Sequence, residues 1–169
     1  MSETCAQCGF DGATYSDGAL TEAVHALGPR WQQLLASAGT ELRERPAAGV
    51  WSAIEYGAHS RDVTALHAWG VDQALTGTEP VLPPIAAGLV DDAATTYGDA
   101  DPDEVGAALE MHANRLANSA EAAGPAAWSR GLTIGDDRMD VRALLEHALH
   151  DSLHHVDDVE RGLAQLRAC

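Results

Sequence analysis

The segment from Val141 to Ala168, "VRALLEHALHDSLHHVDDVERGLAQLRA", constrains the fold more than any other stretch. Each residue of an α-helix steps about 100° around the axis. On that period Val141, Leu144, Leu145, Ala148, Leu149, Ser152, Val156, Val159, Leu163 and Leu166 form one apolar stripe. Asp140 precedes the stripe and is a good N-cap. An amphipathic helix of this length must lay its stripe against other helices or a sheet.

The rest of the chain supplies helices. A helical pattern starts near Leu20, and Gly28-Pro29 inside it predicts a kink or two consecutive pieces. Gly39 is a stop signal. Ser52 and Glu55 have capping-box spacing at the head of a helix of about twenty residues that ends before Gly77. Trp51, Ile54, Ala58, Ala65, Leu66 and Trp69 are expected on its apolar face. The proline-rich "TEPVLPPIAAG" reads as a loop, and helix is expected to resume within 85–97. Asp103 is the expected cap of a helix from Glu104 to Ala123, with Val105, Leu109, His112 and Leu116 on one side. "GPAAWSRGLTIGDDRM" reads as a long loop with an extended stretch at Leu132–Ile134. Four main helices with long connections predict an all-α four-helix bundle over residues 18–169, preceded by an irregular segment, 1–17, that carries a CxxC element.

The chain has 169 residues, enough for one such domain. Aromatic residues are only 5%, so alanine and leucine must build much of the core. The formal net charge of −16 argues against nucleic acid, whose phosphates need clustered Lys and Arg, and against an anionic membrane surface. No segment reaches the ~20 apolar residues of a bilayer span. The first residues, "MSETCAQCGFDG", lack the basic and apolar regions of a secretion signal, and three cysteines make no disulfide framework. A cytoplasmic location is expected.

Between His147 and Asp158 lie four of the eight histidines and three aspartates. The helical stripe separates them. His155 lies about 55° and Asp151 about 95° from the stripe's centre, at the edge of the core. His147, His150 and His154 lie about 135–165° away, facing water. Asp151/His155 and His150/His154 each have the i,i+4 spacing that lets one helix hold one ion. His59, near the edge of the second helix's stripe, is the candidate third ligand. His25, His67 and His112 have no ligand-type partner at i±4. Boundary histidines without a metal share all these features.

"VWSAIEYGAHSRDV", followed by "LLEHALHDSLHHVDDVERGL", resembles the DinB-like superfamily of four-helix bundles. That family includes thiol-dependent transferases and mycothiol-dependent maleylpyruvate isomerases. The resemblance implies a divalent metal, often zinc or nickel, held by His59, Asp151 and His155. Relatives commonly carry His or Glu where this chain has Asp151, which leaves His150/His154 as an alternative register. It also implies a small electrophilic substrate and a low-molecular-weight thiol as co-substrate, in a transferase or isomerase reaction. The competing expectation is a non-catalytic metal-binding stress-response bundle, possibly a homodimer. Arg61, Arg138 and Arg142 are the few cations available to line a mouth.

"CAQCGF" has the look of half a zinc knuckle: Cys5 and Cys8 two residues apart, then a glycine for the turn. Four ligands are needed, and Cys169, His25 or a second chain are the candidate donors. The alternative is a free or redox-labile thiol pair.

Overall fold

The computed structural model describes residues 2–82 and 96–168. Among the described residues, five α-helices make four rods: α1 (Asp17–His25) and α2 (Leu27–Ala38) form the first, α3 (Ala53–Thr76) the second, α4 (Pro102–Ala123) the third and α5 (Val141–Arg167) the last. The helix expected within 85–97 falls, as far as residue 95, outside the described residues.

The first rod breaks at Ala26 for a local reason. Pro29 has no N–H to give the His25 carbonyl, and its ring crowds the preceding turn. The chain restarts as α2, with Arg30 N–H bonded to the Ala26 carbonyl at 3.2 Å. Ser16 caps α1 through the Ala19 N–H. The capping box at α3 is formed: Glu55 accepts from the Ser52 backbone N–H at 2.8 Å and from its hydroxyl at 2.7 Å.

Helix α4 begins two residues earlier than its sequence signal suggests. Asp101, not Asp103, is the cap, accepting from the Asp103 and Glu104 N–H groups. Pro102 occupies the first helical position, where its missing N–H costs nothing.

Helix α3 packs chiefly on α4 and α5, and α1 and α2 pack on α4. The core holds Leu20, Leu27, Trp31, Ile54, Leu109, Leu116, Leu144, Leu145 and Leu149, all essentially solvent-free. Between these large residues, Ala58, Ala68, Ala113, Ala117 and Ala120 are buried too, and their small side chains let the helices approach closely. The buried face of α3 departs from the expected stripe. Ile54 and Ala58 are interior, but Ala65 and Leu66 are half-buried and Trp69 is exposed. The face instead continues through Thr64, His67, Ala68 and Val71, because two helices flank α3 and widen the covered arc.

A small sheet includes the extended stretch expected at Leu132–Ile134 and adds two strands in segments expected as loops. Strand β1 (Val81–Leu82) runs parallel to β2 (Gly131–Ile134), which forms a hairpin with β3 (Asp137–Asp140). The two-residue turn uses Gly135 at φ +60°, where a side chain would be strained. The strand β3 leads directly into α5 through its cap, Asp140. Among the described residues, no helix is long and apolar enough to cross a membrane.

Candidate metal centre

His59, from the second turn of α3, meets Asp151 and His155 on the facing side of α5. His59 Nε2 lies 3.7 Å and His155 Nε2 3.6 Å from the same oxygen, Asp151 Oδ1. One ligand-type atom from each residue falls within 4.8 Å of the others. The side chains are 14, 20 and 19% exposed in that order, so the trio sits at the rim of the bundle with one side open.

The surroundings fix the rings. Asp158 Oδ2 lies 2.9 Å from His155 Nδ1. A carboxylate has no proton to give, so Nδ1 donates and Nε2 keeps its lone pair on the side of Asp151 and His59. Trp51 packs on His59 at 5.3 Å between ring centroids, and Tyr56 packs on His155 at 4.9 Å. Tyr97 stands beside both Trp51 and His59 and donates its hydroxyl to Asp62.

Burial alone would push the Asp151 carboxyl up. The facing imidazoles of His59 and His155 outweigh it and hold the group below its ordinary value. Yet Asp151 Oδ2 and His59 Nδ1 are buried without a hydrogen-bond partner. A buried carboxylate oxygen left unpaired is costly, and a cation beside it removes that cost. Two imidazoles and one carboxylate with an open side are also the donor set of catalytic zinc sites. The residues present therefore fit a divalent metal.

A cavity of about 300 Å³ opens next to the trio, with His59 and Asp151 in its wall. Most of its lining is apolar: Val63, Leu66, Trp69, Leu82, Ile134, Met139 and Leu144. Gly70, Asp137, His67 and His147 also line it, the two histidines with ring centroids 5.1 Å apart. His67 Nδ1 donates to the Val63 carbonyl at 2.7 Å. Burial pushes this imidazole down to about 4, so it stays neutral, with Nε2 as a free acceptor. A groove of about 400 Å³ between α2 and α5 is larger, but it is lined by Arg30, Glu160, Arg167 and their neighbours and lies away from the trio.

A sequence model of the DinB superfamily matches residues 19–159. The chain belongs to the DinB superfamily. Among solved structures, this DinB bundle is similar to YfiT from Bacillus subtilis, with a TM-score of 0.79 and 15% identity over 89% of this chain and 87% of that one. That protein is described as a probable metal-dependent hydrolase with an unusual four-helix bundle topology. At this identity the likeness establishes a shared fold. No curated protein sequence matches the chain.

The other candidate residues go elsewhere in the DinB bundle. His150 and His154 do not turn toward His59, and they do not face open water as their angle on the helix suggests. They are 17 and 22% exposed, because the N-terminal segment covers them. There they come together with Cys5 and Cys8. The Cys5 thiol is drawn down to about 6, chiefly by the backbone N–H groups of Cys8 and Gln7, while burial pushes Cys8 up. Cys169 lies outside the described residues. His25 is bonded to Asn114 and paired with Glu121, which occupies it away from the cysteines. The three arginines do not line the cavity. Arg61 pairs with Asp62, Arg138 reaches the Ser129 carbonyl, and Arg142 is held by Asp17 and the buried Glu146.

Sequence reasoning missed the supporting residues. Asp158 carried a usable signal, since it lies one turn beyond both His154 and His155. The cavity wall carried none, because β1, the β2–β3 hairpin and α3 meet there only in three dimensions.

Proposed function

We propose that this DinB-superfamily bundle is a metal-dependent enzyme that joins a small, largely apolar electrophile to a nucleophile at the His59–Asp151–His155 centre. The reading rests on one observation: a three-donor site with an open side that shares its wall with an apolar cavity. A divalent zinc or nickel ion held there would supply Lewis acidity and favour the deprotonated form of a thiol or water. The nucleophile we favour is a low-molecular-weight thiol of the mycothiol type, in an S-transferase or a thiol-dependent isomerase reaction.

The chain's own residues have separate tasks. Val63, Leu66, Met139 and Leu144 exclude water around the apolar part of the substrate. Asp158 keeps the His155 ring in one tautomer and orientation. His67, neutral and with Nε2 free, offers a hydrogen-bond acceptor in the cavity wall. Among the described residues no arginine lines the cavity and Asp137 does, which favours an uncharged electrophile.

Water as the nucleophile is the second reading. It is favoured by the donor set, which catalytic zinc hydrolases share. The third, a non-catalytic metal-binding bundle that dimerises, would use exposed apolar residues such as Trp69 and Met111.

The deciding experiment loads the protein with zinc or nickel and follows loss of an electrophile in the presence of mycothiol, bacillithiol or glutathione. Conjugation is expected, and it is lost in His59→Ala and His155→Ala. Turnover of esters without any thiol would replace this reading by hydrolysis. No turnover of either kind by metal-loaded protein would leave the non-catalytic bundle.

A further inference from the structure

The geometry points to a second metal site in this chain, a structural Cys2His2 zinc formed by Cys5, Cys8, His150 and His154. It shares no ligand with the centre at His59 and staples the N-terminal segment to α5.

Four donors of the right kind are already assembled. One ligand atom from each of the four residues lies within 4.8 Å of the others, and Cys5 Sγ is 3.8 Å from His154 Nδ1. Around a tetrahedral zinc, with bonds of about 2.0–2.3 Å, donor atoms lie roughly 3.3–3.8 Å apart. The cluster needs only a small contraction to reach that shape. Two thiolates and two imidazoles select zinc, and a site completed by four protein ligands is structural rather than catalytic.

The loop is built to present its sulfurs. The Gly9 N–H bonds back to the Cys5 carbonyl at 2.9 Å, and Gly9 takes φ +75° to close the turn.

The histidines are held by carboxylates from behind. Glu3 Oε1 lies 2.5 Å from His150 Nδ1, which must therefore donate. This leaves His150 Nε2 with a lone pair, and that atom is buried with no partner of its own. An unpaired buried acceptor beside two cysteine sulfurs offers its lone pair to a cation. On His154, Nδ1 approaches Cys5 while Nε2 lies 3.8 Å from Asp158.

The segment is docked by more than these four residues. Phe10 stacks on His150 at 5.0 Å, and the buried Glu146 accepts from the Glu3 N–H at 3.0 Å. Glu3 also reaches His147 in the cavity wall. Zinc at this site would fix the segment whose residue Glu3 positions His147.

Cobalt(II) substitution tests this on the full chain, in a His59→Ala/His155→Ala background that disables the other centre. One equivalent of cobalt is expected to give thiolate-to-cobalt charge-transfer absorption with tetrahedral d–d bands. Both are lost in Cys5→Ser/Cys8→Ser and altered in His150→Ala/His154→Ala. In the unsubstituted protein loaded with zinc, peptide-mapped alkylation should find Cys5 and Cys8 protected until a chelator is added. Absent charge transfer, charge transfer that survives the double serine variant, or unchanged bands in the double alanine variant would each overturn the proposal. So would alkylation of Cys5 and Cys8 at free-thiol rates with zinc present, or a Cys5–Cys8 disulfide that forms despite it.

Discussion

His155 Nδ1 sits 2.9 Å from Asp158 Oδ2, and the same oxygen lies 3.8 Å from Nε2 of the neighbouring His154. One carboxylate therefore stands behind a histidine of each cluster on α5, and Arg161 holds its other oxygen at 2.5 Å. Asp158→Ala should weaken metal binding at the His59 centre by roughly 10–100-fold, because the supported ring loses its orientation. Competition against a chelator of known affinity measures it. Unchanged affinity would show that the trio orients itself without help.

Stability should fall on mild acidification because of His67. Its folded value is about 4, against about 6.5 when unfolded. Between those values the unfolded chain takes up a proton that the folded chain refuses, so unfolding gains. The loss approaches about 1.4 kcal/mol per pH unit, roughly 3 kcal/mol in all. Urea unfolding from pH 7 to pH 4 should show this slope, and His67→Gln should flatten it.

Glu55 acts in the same direction in a lower window. Burial opposes its charge, but Arg45 and the Ser52 amide and hydroxyl prevail and keep its carboxyl below the ordinary range. A depressed carboxylate adds stability above its unfolded value, and that stability disappears as pH drops through the folded value. Glu55→Gln should lower stability by about 1.5–3 kcal/mol at neutral pH, and by progressively less below about pH 4.5. A deficit that stays constant across that range would remove the ionised capping box from the account.

Ser152 neighbours Asp151 in sequence but serves the core. Its hydroxyl oxygen accepts from the Trp31 indole N–H at 2.7 Å, and both residues are fully buried. Ser152→Ala leaves that N–H unpaired at a cost of about 1–3 kcal/mol. A shift of the urea midpoint at constant slope is the expected reading.

Gly28→Ala sets helix propensity against packing. Alanine favours the helix by about 1 kcal/mol. A Cβ at this position would meet the Glu110 Cβ at 2.4 Å and its Cα at 2.6 Å. Backbone cannot yield as a flexible side-chain end does, so the variant should be less stable by about 1–3 kcal/mol. A raised melting temperature would mean that α2 and α4 separate more easily than their contact implies.

The sequence by itself determined the helices and most of their ends. Ser52, Glu55, Gly28-Pro29 and Asp140 act through bonds and clashes within a turn, and local interactions can be read locally. It also restricted the metal candidates on α5 to two i,i+4 pairs, since helical geometry is fixed by the backbone. The tertiary structure decided which pair meets which partner. Asp151 and His155 face His59 because α3 packs against that side of α5, while His150 and His154 face Cys5 and Cys8 because the N-terminal segment folds over the other. The cap at Asp101, the strands that wall the cavity and the burial of His67 were likewise beyond local signals. Burial depends on which surfaces the packed elements cover, and a single helix does not encode its neighbours.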